Sequence, residues 1–112
     1  MRISVTLEDK DNKETIIIEN VSDRNSFDYV DTFGAFNHIE IYENGISIDR
    51  KDIDHLTRLV LTDNPHIEII SSEGTITFLT KVVEFNKNFD IITIVYKIDE
   101  DNRKKIINYL GE

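Results

Sequence analysis

IISSEGTITFLTKVVEF, residues 69–85, is the stretch on which the reading of this chain turns. A glycine stands between two runs rich in β-branched and aromatic residues, and its role decides whether they are two strands or a ligand loop between helices. A phosphate-cradling loop needs further glycines, a Lys-Ser/Thr pair and a helix after it. Gly74 has none of these. Ser71-Ser72-Glu73-Gly74 instead has the composition of a tight turn in which glycine supplies φ > 0. Gly74 therefore reads as a turn, one that could also meet a ligand with its backbone if it sits at the mouth of the fold. After it, Thr75–Leu79 reads as a strand that continues into residues 81–85.

The same signature extends in both directions. Residues 2–7 alternate, with Ile3, Val5 and Leu7 on one face, and residues 14–20 carry Ile16, Ile17 and Ile18. The polar EDKDNK segment between them reads as a hairpin loop. Residues 38–42 place Ile39 and Ile41 on one face. Asn44-Gly45 is the strongest short hairpin signal in the chain, as the central pair of a type I′ turn. Ile46, Ile48 and Arg50 share one face of the returning strand. Residues 55–61 and 66–71 read as strands around Asp63-Asn64-Pro65, where Pro65 suits a turn. Asn86-Lys87-Asn88 is a further turn, and residues 89–98 form the longest run, with Ile92, Ile94, Tyr96 and Ile98 on one face. Residues 105–110 end the chain as a strand. Two segments also fit a short helix: 52–61, with Asp52 as a cap, and 101–110. Residues 21–37 are the least regular part. They hold Phe27, Tyr29, Phe33 and Phe36, and a strand is expected near residues 27–30.

Composition agrees with strands. Alanine, the best helix former, occurs once, at Ala35. The Ile, Asn and Lys bias fits an AT-rich coding sequence from a low-GC bacterium. At 112 residues the chain is long enough for one domain with its own core. The expected fold is all-β: about eight to ten strands in sequential antiparallel order, closed into a barrel so that no edge is left open. A two-sheet sandwich is the alternative.

The second half also resembles the YwiB-like family of small bacterial proteins of unknown function. The resemblance rests on an Ile-x-Ile-x-Arg strand (Ile46, Ile48, Arg50), a Leu-rich strand, Gly74-Thr75-Ile76-Thr77, the pair Thr80-Lys81, and a long strand with Tyr96. It covers residues 45–98, and the N-terminal third fits loosely. It implies a calycin-like closed β-barrel, similar to lipocalins in architecture. It implies no activity and supplies no catalytic residues.

The functional reading is narrow. The net charge of −9 repels phosphate backbones and anionic membranes, so no nucleic-acid or membrane partner is expected, while a basic partner is compatible with it. The absence of cysteine excludes disulfides and thiol chemistry. With no apolar leader and no membrane-spanning run, the chain reads as cytoplasmic. His38, His55 and His66 lack ligand spacing, so no metal or other cofactor is expected. Asp9-x-Asp11 and Asp99-x-Asp101 open like calcium loops but lack the later ligands and glycine. No Gly-x-Ser-x-Gly is present, and no acid–base pair stands out among the 22 acids, so the chain reads as a non-enzyme.

The remaining candidates are charges inside strands. Arg50 shares a face with Ile46 and Ile48, and Arg58 with Leu56 and Val60. If both faces point inward, the two guanidiniums would grip the anionic group of a small ligand in a barrel pocket lined by Ile76, Phe78, Ile94 and Tyr96. Alternatively they form ion pairs, with Glu40, Glu68 or Glu73 as partners, or lie exposed. Two functions follow. One is a non-catalytic binding module for a small apolar or anionic ligand in the barrel. The other is a filled barrel that acts as a protein-interaction module or homodimer through the aromatic segment 27–36 and the C-terminal strand.

Overall fold

The computed structural model describes residues 1–111, and every regular element in them is a β-strand. In chain order these are β1 (Arg2–Glu8), β2 (Lys13–Ile18), β3 (Ser26–Val30), β4 (Phe36–Tyr42), β5 (Gly45–Lys51), β6 (Leu56–Leu61), β7 (His66–Ser71), β8 (Gly74–Leu79), β9 (Lys81–Lys87), β10 (Ile91–Ile98) and β11 (Asp101–Gly111). Neither segment that also fitted a helix is helical: 101–110 lies within β11, and 52–61 resolves as a bend at 52–55 followed by β6. Thr57, Val60 and Ile106, Ile107 favour the pleated surface, and partner strands on both sides supply the hydrogen bonds.

The strands form two antiparallel sheets, and neither closes. One has five strands in the order β2-β1-β11-β10-β9, the other six in the order β3-β4-β5-β6-β7-β8. The expected closed calycin/lipocalin-like barrel is therefore not the architecture. The physical reason lies at Thr80. β8 ends at Leu79 and β9 begins at Lys81, so one residue separates them. A tight antiparallel reversal uses two. β8 pairs only with β7, and β9 only with β10. The expected sequential pairing holds throughout the six-stranded sheet; in the five-stranded sheet the first strand, β1, also pairs with the last, β11, and no ladder joins β8 to β9 or β2 to β3. The chain divides correspondingly into two compact units, one of residues Met1–Arg24 with Lys81 onward, the other Asn25–Thr80.

In the first unit, β1 pairs centrally with β2 and β11. The register sets Val5 opposite Ile16 and Ile107, and Ile92 opposite Ile107. Ile3, Val5, Ile107, Ile92, Ile94 and Tyr96 share one face and are buried. Arg24 closes this unit. Its guanidinium stacks on the rings of Phe89 and Tyr109, 4.0 and 4.2 Å from their centroids. The Tyr109 hydroxyl donates to the Arg24 carbonyl at 2.8 Å.

In the second unit, Phe27, Ile39, Ile48, Leu59 and Ile67 stand opposite one another across five strands, with Ile41, Ile46 and Leu61 in the next row. All of these but Leu59 are buried. The β4–β5 hairpin is shifted by one residue from the expected turn. Tyr42 pairs with Gly45, so the loop residues are Glu43-Asn44. Neither has positive φ, and the glycine is instead the first residue of β5. It is required there because a Cβ would lie 1.8 Å from the Leu61 carbonyl oxygen. Gly74 plays the expected turn role. Ser71 pairs with Gly74 around the two-residue loop Ser72-Glu73, and Gly74 has φ +134°.

Candidate functional site

Arg50 and Arg58 lie on opposite faces of the six-stranded sheet, because their strands place them in rows of opposite parity. Asn37, Arg50, Thr57, Ile69 and Ile76 form one row, and Asp28, His38, Asp49, Arg58, Glu68 and Thr77 the other.

Arg50 shares its face with the buried isoleucines, as its alternation with Ile46 and Ile48 implies, and it is tied into an ion pair. Its Nε donates to Asp31 Oδ2 at 2.7 Å, and Nη1 lies 3.6 Å from Asp52 Oδ2. Asp31 is the hub of the β3–β4 connection. Its carboxylate also accepts from the amides of Phe33 (3.0 Å) and Ala35 (3.1 Å) and from Asn37 Nδ2 (3.0 Å). Partial burial pushes its pKa up, but Arg50, Asn37 and the two amides outweigh that and bring it down to about 2. None of the expected partners Glu40, Glu68 or Glu73 contacts Arg50; of the three, Glu68 stands opposite Arg58 and acts on it electrostatically. The partners are Asp31 and Asp52, both in connections whose placement beside Arg50 depends on cross-strand register.

Arg58 occupies the polar face. Its Nε and Nη2 donate to Asp49 at 2.9 and 3.4 Å. Two strands away, His38 sits between two carboxylates. Nδ1 contacts Asp28, and Nε2 is 2.6 Å from Glu40 Oε1, which also accepts from Ser26 Oγ at 2.8 Å. Hydrogen bonds to Asp28 and then to Glu40 raise the His38 pKa, because imidazolium can donate from both nitrogens. His66 is raised likewise, by the Asn64 carbonyl and Glu68. Over this face lies an open groove of about 580 Å³, lined by His38, Glu40, Tyr42, Ser47, Asp49 and Arg58 among others. Of these, the sequence singles out Arg58, Glu40 only as a possible ion-pair partner, and His38 only as a metal ligand that its spacing rules out; Tyr42, Ser47 and Asp49 carry no functional expectation. The signal was available in the alternation His38-x-Glu40 and Ser47-x-Asp49 opposite buried isoleucines, which assigns them to one exposed face.

The other expected lining residues divide between the units. Ile76 and Phe78 share the face of Arg50 but are about half exposed on β8. Ile94 and Tyr96 belong to β10 of the five-stranded sheet and are buried there. Burial pushes the Tyr96 hydroxyl up to about 12. In the aromatic segment, Phe27 is core, while Phe33 (83% exposed) and Phe36 project outward. With Ile53, 97% exposed, and Lys51 they flank a second depression of about 450 Å³.

Among the described residues no group of His, Asp and Glu is arranged to hold a metal ion, and no helix is long and apolar enough to cross a membrane. Asp9 Oδ1, in the Asp9-x-Asp11 pair that lacks the rest of a calcium loop, accepts the amides of Asp11 and Asn12 and closes its own hairpin.

No family model matches the chain, and no curated protein does so. Among solved structures, its fold is similar to the crystal structure of ywiB protein from Bacillus subtilis. The TM-score is 0.58 at 17% sequence identity, covering 99% of this chain and 89% of that one. At that identity the likeness establishes a YwiB-like fold and nothing beyond it.

Proposed function

We propose that this chain is a non-catalytic binding module and a distant member of the YwiB-like family, acting in the cytoplasm. Its ligand site in this reading is the polar groove of the six-stranded sheet, in place of an enclosed interior. The observation that carries the reading is the groove itself. Two cross-strand rows hold His38, Glu40, Ser47, Asp49 and Arg58 at fixed register over about 580 Å³. Groups mounted on paired strands are held more closely than groups on loops, which lowers the ordering cost of binding. The fold likeness and the residue pattern over 45–98 support the family reading.

The charge balance selects the ligand class. Asp49 neutralises Arg58 through two hydrogen bonds, so an anion would have to displace a carboxylate already in place. Asp28, Glu40 and Glu68 lie along the same two rows; His38 bridges the first two and His66 contacts the third, so with Asp49 the carboxylates number four against one guanidinium and two imidazoles. A small polar molecule with a cationic amine fits this balance better than an anion, with Tyr42 and Val60 offering apolar contact. The test is an amide-resolved NMR titration of the full chain with a short diamine and, separately, with inorganic phosphate. Shifts confined to residues 38–49 and 58–62 with the diamine, lost in Glu40→Gln, support the reading. Shifts with phosphate alone restore an anionic ligand, and no response to either removes the groove as a site. The exposed cluster Phe33, Phe36 and Ile53 favours a second reading, protein interaction, in which Ile53→Ser abolishes capture of a partner without changing stability.

A further inference from the structure

Four strands form the open edges of the two sheets: β2, β9, β3 and β8. An open edge presents unsatisfied amides and carbonyls, and monomeric proteins guard such edges with charge. β2 carries Lys13 and Glu14, β3 carries Asp28, and β9 carries Lys81, Glu84 and Lys87. β8, Gly-Thr-Ile-Thr-Phe-Leu, carries none in a chain that is 31% charged, and every one of its residues is exposed. Ile76, Phe78 and Leu79 are 59%, 50% and 90% exposed.

The register shows what this edge offers. Hydrogen-bonded pairs alternate along an antiparallel ladder, and the two-residue hairpin makes Ser71–Gly74 one of them. Ile69–Ile76 and Ile67–Phe78 follow in phase, and the Thr80 amide donates to the Pro65 carbonyl at 3.1 Å, as the same phase requires. The amides and carbonyls of Thr75, Thr77 and Leu79 therefore point away from β7, where the sheet has no further strand.

We propose that β8 pairs antiparallel with β8 of a second copy of this chain, about a two-fold axis at Thr77. That register uses all three outward residues: Thr77 bonds its own counterpart, and Thr75 bonds Leu79 of the second copy. On the face of the buried isoleucines it sets Ile76 opposite Phe78, a favourable β-branched–aromatic pair. No like charges are brought together within the strand, which matters for a chain of net charge −9. The two six-stranded sheets become one. A six-residue pairing lies at or below the roughly 1,000 Å² of a stable interface, so the dimer is concentration-dependent.

The experiment is sedimentation equilibrium of the full chain from micromolar to millimolar concentration, joined to single-cysteine crosslinking. The chain has no native cysteine to interfere. A hydrogen-bonded pair holds its Cα atoms about 5.5 Å apart, within the range a disulfide spans. Thr77→Cys should give a covalent dimer under mild oxidation, while Thr15→Cys on the edge strand β2 should stay monomeric. Thr77→Lys should lose the doubled mass with its thermal midpoint unchanged. The proposal is overturned by a monomer at every concentration, by a dimer that survives Thr77→Lys, or by equal crosslinking at positions 77 and 15. Should Thr77→Lys fail to fold, the crosslinking comparison still decides.

Discussion

Replacing Asp31 by Asn removes one charge and leaves shape and most hydrogen-bonding capacity in place. Asp31 gathers four donors, Arg50 Nε, Asn37 Nδ2 and the amides of Phe33 and Ala35, around a side chain only 12% exposed. Its pKa falls from 3.8 to about 2 on folding. A folded value below the unfolded one means stability that is full above the unfolded pKa and lost as pH falls through the folded one. The difference corresponds to about 2 kcal/mol at neutral pH, of which roughly half remains at pH 3. Asp31→Asn should therefore lower the free energy of unfolding by about 2 kcal/mol at pH 7. The assay is urea denaturation at a series of pH values. The gap between wild type and variant should narrow steadily below about pH 4. Arg50→Gln should cost a similar amount, and the double variant little more than either single one, since both remove the same pair. A gap that stays constant down to pH 3, or additive single losses, would refute the assignment of Arg50 to an ion pair. It would also return Arg50 to the role of a ligand-gripping cation.

Two further outcomes follow from backbone packing and from the polar face. Gly45→Ala places a methyl against the Leu61 carbonyl of the neighbouring strand and should cost about 3 kcal/mol. Gly74→Ala, whose methyl meets open space, should cost about 1–2 kcal/mol from its positive φ alone, and comparing the two denaturation midpoints checks both. His38 and His66 have folded pKa values above the ordinary histidine value. Their contribution is thus full below about pH 6.5 and lost as pH rises through the raised values. Thermal midpoints should drift down over that interval, and His38→Gln should flatten part of the drift. Because the His38 side chain is 42% exposed, its share is below about 1 kcal/mol. A midpoint that rises over the interval contradicts the arrangement.

Much of the secondary structure was legible because Ile, Val and Thr alternate cleanly. The inward set Ile46, Ile48 and Arg50 follows from period two alone, and Arg50 indeed lies on the buried-isoleucine face. Arg58 illustrates the limit. Its face, shared with Leu56 and Val60, was correctly grouped, but β6 is partly buried on both sides. Apolar content therefore could not say which side met solvent. Neighbouring strands settle it, since Asp49 and Glu68 flank Arg58 while Leu59 faces Ile48 and Ile67. Asp31 was missed although Asp-Thr-Phe-Gly has the composition of a side-chain-closed turn. The turn is local, but its partner Arg50 is 19 residues away and reaches it only through the β4–β5 register.

The barrel expectation failed for an instructive reason. Its premise, that a sheet of many strands closes to remove its edges, concerns energetics, whereas closure in up-and-down order also requires each strand to pair with its neighbours in sequence. Residues 74–87 supply extended chain with a single residue, Thr80, between β8 and β9. The edge problem then has to be met strand by strand. Charge meets it on β2, β3 and β9. On β8 it is not met within the chain, and the same stretch that carried the fold assignment becomes the surface at which a second chain completes the sheet.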